Sequence, residues 1–256
     1  MPILQTVGLS KSFLWTGKPR LILDSISFRM EAGTFVCIVG PSGCGKSTWL
    51  ELLAGITKPD SGQIFYQGRE ITGSSGFLGY MPQDDLLFPW LNVTENALLP
   101  ARINNLNLRA SRSKIVSLLP VFGLQEHARH LPYQLSGGLR QRAAFLRTVM
   151  TETELLLLDE PFASLDAITR LQLQDWLKII TRKLNLSIIL VTHDIDEAIN
   201  LADEIHVFRG QPGRLAGCNT VDDALRNNQT ARQALKLRIL ELVKSGIADA
   251  DRARDN

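Results

Sequence analysis

Two short stretches of this 256-residue chain carry groups able to do phosphate chemistry. The first is the run Gly40, Pro41, Ser42, Gly43, Cys44, Gly45, Lys46, Ser47 and Thr48, which fits the spacing G-x-x-x-x-G-K-S. Glycines let a backbone wrap an anion closely and aim its N–H groups inward. A lysine closing such a loop reaches the β- and γ-phosphates of a nucleotide, and the next hydroxyl takes a place around Mg²⁺. The second stretch is Asp159 and Glu160, directly after the four-leucine run Leu155–Leu158. An aspartate so placed holds the magnesium shell in P-loop nucleoside triphosphatases. The adjoining glutamate can polarise an attacking water as a general base. An isolated Asp-Glu pair is commonly only a solvated strand end, and the glycine loop upstream is what lifts this one above that.

These groups must be positioned by strands and helices, and the pattern supplies both. Apolar residues over Leu21–Met30 predict a strand, Glu31-Ala32-Gly33 a turn, and Thr34–Val39 a short buried strand feeding the glycine loop. A helix is predicted from about Lys46 to Ala54, and its N-terminus adds a positive dipole end to the loop. Lys58-Pro-Asp-Ser-Gly62 is a turn signal, with short strands predicted at Ile64–Tyr66 and Phe77–Tyr80. From about Leu86 to Val149 the character is helical, with one helix over Ala110–Phe122 and another opening at Ser136-Gly-Gly138. Leu155–Leu158 reads as a central strand and Ala167–Leu184 as a long amphipathic helix. Ser187–Val191 reads as a strand, Ile195–Leu201 as a helix, and Glu204–Phe208 as a last strand. Strands alternating with helices imply a mostly parallel sheet with ligands at the strands' carboxyl ends. The tail after Gly213 reads as two short helices and a charged end around Arg252 and Arg254.

The run Leu135-Ser-Gly-Gly-Leu139-Arg-Gln-Arg142 narrows the reading, because it resembles the signature motif of ABC ATPases. Ser136, Gly137 and Gly138 open a helix, so their N–H groups can bind an anion. In that family the anion is the γ-phosphate of ATP held by the other subunit. Further pieces fall in the family's order. Gln83, in Met81-Pro-Gln83, resembles the glutamine that contacts Mg²⁺ and the attacking water. Ser164-Leu-Asp166 is similar to the D-loop, which crosses the dimer interface, and His193 to the switch histidine near the γ-phosphate. Phe13 stands where the family has an aromatic ring stacked on adenine. The resemblance spans about residues 3–210, roughly four-fifths of the chain.

The resemblance implies an α/β fold: a P-loop core with a mostly parallel sheet, an antiparallel β subdomain and an inserted α-helical subdomain at about residues 86–150. It implies an ATPase domain over 1–213 and a helical extension over 214–256. It implies ATP and Mg²⁺ as cofactors, with Ser47, Gln83 and Asp159 around the metal and Glu160, His193 and Gln83 around the reaction. The implied partners are a second copy of the chain, head to tail, an integral membrane permease and, through it, a substrate-binding protein. The implied place is the cytoplasmic face of the inner (plasma) membrane, as a peripheral subunit. Within the family, Gly40-Pro-Ser-Gly-Cys44-Gly, Leu87-Phe-Pro-Trp90 and the apolar Leu139 are most similar to importer subunits for nitrate, sulfonates, taurine and thiamine-precursor pyrimidines. Leu146 and Thr148 depart from the family's small alanines, so the helix after the signature must repack locally. Leu86–Trp90 has two readings, local core at a subdomain junction or the wall of a groove that receives the permease.

Composition agrees. The formal net charge of +2 excludes a nucleic-acid protein built on bulk electrostatics. Cys37, Cys44 and Cys218 are an odd count without metal-type spacing, which points away from a disulfide framework and toward a reducing compartment. The start of the chain lacks the pattern of a signal peptide, and no stretch approaches the ~20 apolar residues that cross a bilayer. Cys44 reads as a small loop residue rather than a redox switch, and His127 and His130 as a solvated helix end rather than a metal pair. Asp222–Val243 reads as helices packed on the core rather than a separate regulatory domain. Non-transport ABC ATPases, exporter subunits, small-molecule kinases and inactive nucleotide-binding regulators are the rivals. The signature run and His193 argue against a kinase, and intact Lys46, Asp159, Glu160 and His193 against an inactive regulator.

Overall fold

The computed structural model describes residues 1–252, with side chains described through Lys244. In chain order the elements are β1 (Leu4–Trp15), β2 (Lys18–Met30), β3 (Phe35–Val39), α1 (Lys46–Leu53), β4 (Ser61–Tyr66), β5 (Arg69–Glu70) and β6 (Gly79–Met81). There follow α2 (Val93–Ile103), α3 (Leu108–Leu118), α4 (Gly137–Val149), β7 (Leu155–Asp159), α5 (Ala167–Lys183), β8 (Ser187–Thr192) and α6 (Ile195–Leu201). The chain closes with β9 (Glu204–Arg209), β10 (Arg214–Thr220), α7 (Asp223–Asn227) and α8 (Gln229–Arg252). No helix among the described residues is long and apolar enough to cross a membrane. The charged tail around Arg252 and Arg254 lies outside the described side chains.

Two compact units result, one made of Met1–Phe77 with the described residues from Ser187 onward, the other of Leu78–Leu186. In the first unit, an antiparallel sheet runs in the order β2-β1-β4-β5. Its long hairpin turns at Thr16-Gly17, both with positive φ (48° and 80°), where Trp15 pairs with Lys18. A two-residue turn of that kind matches the twist of the strands it joins. β1 escapes a reading by alternation because its register shifts between Thr6 and Leu9 and again before Ser12. Such bulges break the two-residue period.

The same unit holds three of the parallel strands that the sequence predicts, β3, β8 and β9. β3 pairs in parallel with both β8 and β9. All residues of β3 and β8 are buried, as a strand covered on both faces requires. Trp49 of α1 is fully buried, its ring 5.1 Å from Phe28 edge-on and 5.7 Å from Phe208. The segment after Gly213 departs from expectation. It opens with a strand, β10, antiparallel to β9, and of the two helices that follow only α7 is short, α8 running from Gln229 to Arg252. Gly217 at a register shift interrupts the alternation that would have marked β10. α7 and α8 pack on the unit as expected: Ile239 is fully buried, Lys236 Nζ lies 2.5 Å from Asp196, and an Arg232 guanidinium nitrogen donates to Asn200 Oδ1 at 2.8 Å.

In the second unit β6 pairs in parallel with β7, whose five residues are all buried. Around them lie α2, α3, α4 and α5, with an aromatic cluster of Phe122, Phe145 and Trp176 at centroid distances of 5.3–5.9 Å. The Arg142 guanidinium stands 5.1 Å from the Trp176 ring. Leu146 and Thr148 belong to α4. Both are buried, and the Thr148 hydroxyl is satisfied by the Ala144 carbonyl at 3.0 Å. Gly79 makes the room: a Cβ there would stand 2.5 Å from Leu156 and 3.2 Å from Thr148.

Candidate active site

The residues singled out by their chemistry fall in both units. In the first, Gly40–Gly45 links β3 to α1, and Lys46, Ser47 and Thr48 open α1. Its shape needs glycine. Gly43 and Gly45 have φ of 77° and 97°, and a Cβ on Gly40 would stand 2.6 Å from the Phe208 carbonyl. Gly45 is the N-cap of α1, and α1 has no side-chain cap. The helix therefore begins with N–H groups that no cap side chain claims, which suits an anion. Lys46 is buried, and its Nζ donates to the carbonyls of Gly40 (2.8 Å) and Pro41 (2.9 Å). The loop thus holds its own cation over its own backbone, where a phosphate can compete for it. Ser42, Gly43 and Ser47 are exposed, and Pro41 and Thr48 are half-buried.

Cys44 is buried with its thiol pushed above the ordinary range by desolvation, which fits a small packing residue and not a reactive thiolate. Beneath the loop lies a turn that the sequence reading passed over. Gln211 Nε2 donates to the Gly43 carbonyl at 3.2 Å and Gln211 Oε1 accepts from Arg20 at 3.1 Å. A Cβ on Gly213 would stand 2.1 Å from the Cys44 carbonyl, so only glycine fits there. The cluster Gly210-Gln-Pro-Gly213 was the available signal.

Two other candidates belong to this unit. Phe13 projects near the end of the β1–β2 hairpin with its ring partly exposed and Lys11 Nζ 5.4 Å from its centroid. A partly exposed aromatic ring can stack on a flat base. His193 is exposed immediately after β8, and Asp194 caps α6 by accepting from the N–H groups of Asp196 and Glu197.

In the second unit, Asp159 ends β7 and is buried, and Glu160 follows it, half-buried. Glu160 has φ 43°, a left-handed conformation in a residue that is not glycine. That conformation costs of order 1–3 kcal/mol and concentrates at working sites. Gln83 is exposed two residues beyond β6. Ser136 is the N-cap of α4, its hydroxyl accepting from the Leu139 N–H at 3.3 Å. Gly137 and Gly138 follow, and a Cβ on Gly138 would lie 3.0 Å from Thr169. Asp166 is the exposed N-cap of α5. The hydroxyl and backbone N–H of Thr169 hold its carboxyl below the ordinary range.

The segment Leu86–Trp90 divides between its two readings. Leu87 is buried, whereas Leu86 and Trp90 are 61% and 69% exposed, and Phe88 and Trp90 stack at 5.2 Å. Its backbone is pinned from beneath. Fully buried Asn96 accepts from the Phe88 N–H and donates to the carbonyls of Phe88, Leu91 and Asn92, and Arg147 donates to those of Asp85 and Leu86. Asn96 and Arg147 were missed by the sequence reading. The capping box Asn92–Glu95 that opens α2 was the nearest signal. His127 and His130 face each other, Nδ1 to Nδ1 at 2.9 Å, rather than standing apart in solvent.

Comparisons with known proteins agree with these observations. A family model described as ABC transporter matches residues 23–163. A taurine import ATP-binding protein of Pseudomonas aeruginosa is 41% identical over 226 residues, 88% of this chain and 86% of that protein. An aliphatic sulfonates import ATP-binding protein of Bacillus subtilis is 38% identical over 232 residues, 90% of each chain. A formylaminopyrimidine import ATP-binding protein of Halalkalibacterium halodurans is 41% identical over 191 residues, 75% of this chain and 74% of that one. Among solved structures, a dimeric ATP-binding cassette in a post-hydrolysis state, bound to ADP and phosphate, is similar with a TM-score of 0.74. It is 25% identical and covers 86% of this chain and 99% of its own.

Proposed function

This chain belongs to the ABC transporter family, and on that premise we propose which residues drive its ATPase and what it serves. It is the ATP-binding, ATP-hydrolysing subunit of an importer; the import reading, rather than export or a role without a membrane partner, agrees with its relatives. The solute we assign is a small organic molecule of the taurine, aliphatic sulfonate or formylaminopyrimidine kind. A membrane permease and a substrate-binding protein choose it. The subunit works as a peripheral protein on the cytoplasmic face, in a head-to-tail pair.

The glycine cradle, uncapped α1 and Lys46 fit a triphosphate. Ser47, Asp159 and Gln83 are the oxygen donors that Mg²⁺ prefers, and they would hold it. Bound there, Mg²⁺ would neutralise charge on the β- and γ-phosphates. Glu160 takes a proton from the attacking water, and His193 steadies the γ-phosphate. Phe13 stacks on the base. Ser136, Gly137 and Gly138 offer their N–H groups to the nucleotide of the paired subunit, with Asp166 at the same interface. A two-fold pair presents both patches on every copy. The γ-phosphate then bridges two subunits, and its loss on hydrolysis lets them part. The exposed Leu86, Phe88 and Trp90, on a pinned backbone, offer the permease an apolar and aromatic contact.

The observation that carries this reading is the carboxylate pair at the end of buried β7, with Asp159 buried and Glu160 half-buried directly after it. Glu160→Gln is expected to retain ATP binding while turnover falls ~10²–10⁴-fold, the usual worth of a general base. Steady-state phosphate release beside a binding isotherm tests this. Near-normal turnover removes Glu160 from the reaction.

A further inference from the structure

Far along the chain from the phosphate loop, strands β9 and β10 bring a carboxylate, an imidazole and a thiol together. Glu204 and His206 are two residues apart on β9, and therefore on one face of the strand. Cys218 of β10 lies directly across from His206 in the antiparallel register. Cross-strand neighbours carry Cβ atoms ~4.5–5.5 Å apart. His206 Nε2 lies 3.2 Å from Glu204 Oε2, and Cys218 Sγ lies 3.9 Å from the same oxygen. One ligand atom from each of the three lies within 4.8 Å of the others.

We propose that Glu204, His206 and Cys218 form a binding site for a zinc-class divalent transition metal. The donor set of thiolate, imidazole and carboxylate is one that Zn²⁺ takes, at bond lengths of about 2.0–2.3 Å. A tetrahedral centre with those bonds spaces its ligands by ~3.5 Å. The Glu204–His206 spacing already matches, and the sulfur needs to close by no more than about 1.3 Å, within reach of a side-chain rotation. The support is graded as such a site needs. The His206 ring is packed edge-on against Phe28 at 4.9 Å, which fixes its plane, while Cys218 is exposed and lets the ion enter. Three protein ligands leave a fourth position for water. On binding, the Cys218 S–H bond breaks, its proton passes to solvent and the sulfur lone pair forms the metal bond. β10 is the edge strand that leads into α7 and α8, so the ion would clip this edge to β9.

Spacing along the sequence hides the site. Cys218 is twelve residues beyond His206 with no second cysteine near it, and the strand register alone makes them neighbours. The proposal is independent of the ATPase assignment.

The test uses the untagged full chain, stripped with a chelator and titrated with Co²⁺ without nucleotide. Thiolate ligation gives a sulfur-to-cobalt absorption that an oxygen-only site lacks. One Co²⁺ per chain with this absorption is expected, displaced by Zn²⁺. Cys218→Ser, an exposed position, should abolish the absorption, and Glu204→Gln should weaken binding by about tenfold or more. Circular dichroism confirms that both variants are folded. Absence of the sulfur absorption overturns the site, as does its persistence in Cys218→Ser. Unchanged affinity in Glu204→Gln overturns the three-ligand assignment.

Discussion

Two glycine-rich turns open helices in this chain, and they do so for different reasons. At the phosphate loop, glycine is demanded by the backbone: Gly45 has φ 97°, and as N-cap of α1 it supplies no capping side chain. At the signature turn, Gly137 and Gly138 are ordinary helical residues, and Ser136 caps α4 with its own hydroxyl. There a side chain would meet close neighbours instead, since a Cβ on Gly137 would stand 3.1 Å from Leu165 and one on Gly138 3.0 Å from Thr169, and either neighbour would have to give by a few tenths of an ångström. The first turn leaves a helix start open and carries its own cation in Lys46. The second keeps its helix start capped and its serine exposed. In the function proposed above, the first grips phosphate alone and the second completes a grip made by the partner subunit.

The largest expected effect separates the two on backbone grounds. Gly45→Ala forces a side chain into a left-handed conformation and within 2.7 Å of Leu23. It should abolish nucleotide binding and destabilise the fold by ~2 kcal/mol or more, read by a fluorescent nucleotide and a urea melt. Retained binding would break the claim that the loop's shape depends on this glycine.

Ser136→Arg comes next. Its exposed position predicts a folded monomer that binds ATP as the parent does, within about twofold, yet forms no ATP-dependent pair in light scattering. An intact pair would refute the assignment of the signature turn to the partner's nucleotide. The smallest effect is that of Ser136→Ala, which removes the α4 cap and should cost ~1 kcal/mol.

Legibility followed the length scale of the physics. The buried strands β3, β7 and β8 were readable because apolar runs of that length have one comfortable place in such a fold. α4 was readable from the start at Ser136. β1 and β10 were not, because bulges at Val7–Gly8 and at Ala216 break the alternation that marks a strand. The phosphate loop, the acidic strand end and the signature turn stood out because their chemistry lies in consecutive residues. Gln211, Gly213, Asn96 and Arg147 did not, because each acts on backbone far away in the sequence.

By itself the sequence determined the parallel strands, the helix starts and the residues able to handle phosphate, since these depend on local pattern and on groups adjacent in the chain. Tertiary structure alone decided what holds those residues in shape. It put Gly213 under the Cys44 carbonyl, Asn96 under Phe88 and Gly79 against the larger Thr148. It also decided that Cys218 faces His206 and Glu204. Strand register and packing are fixed by burying whole faces together, and no window of consecutive residues contains that information.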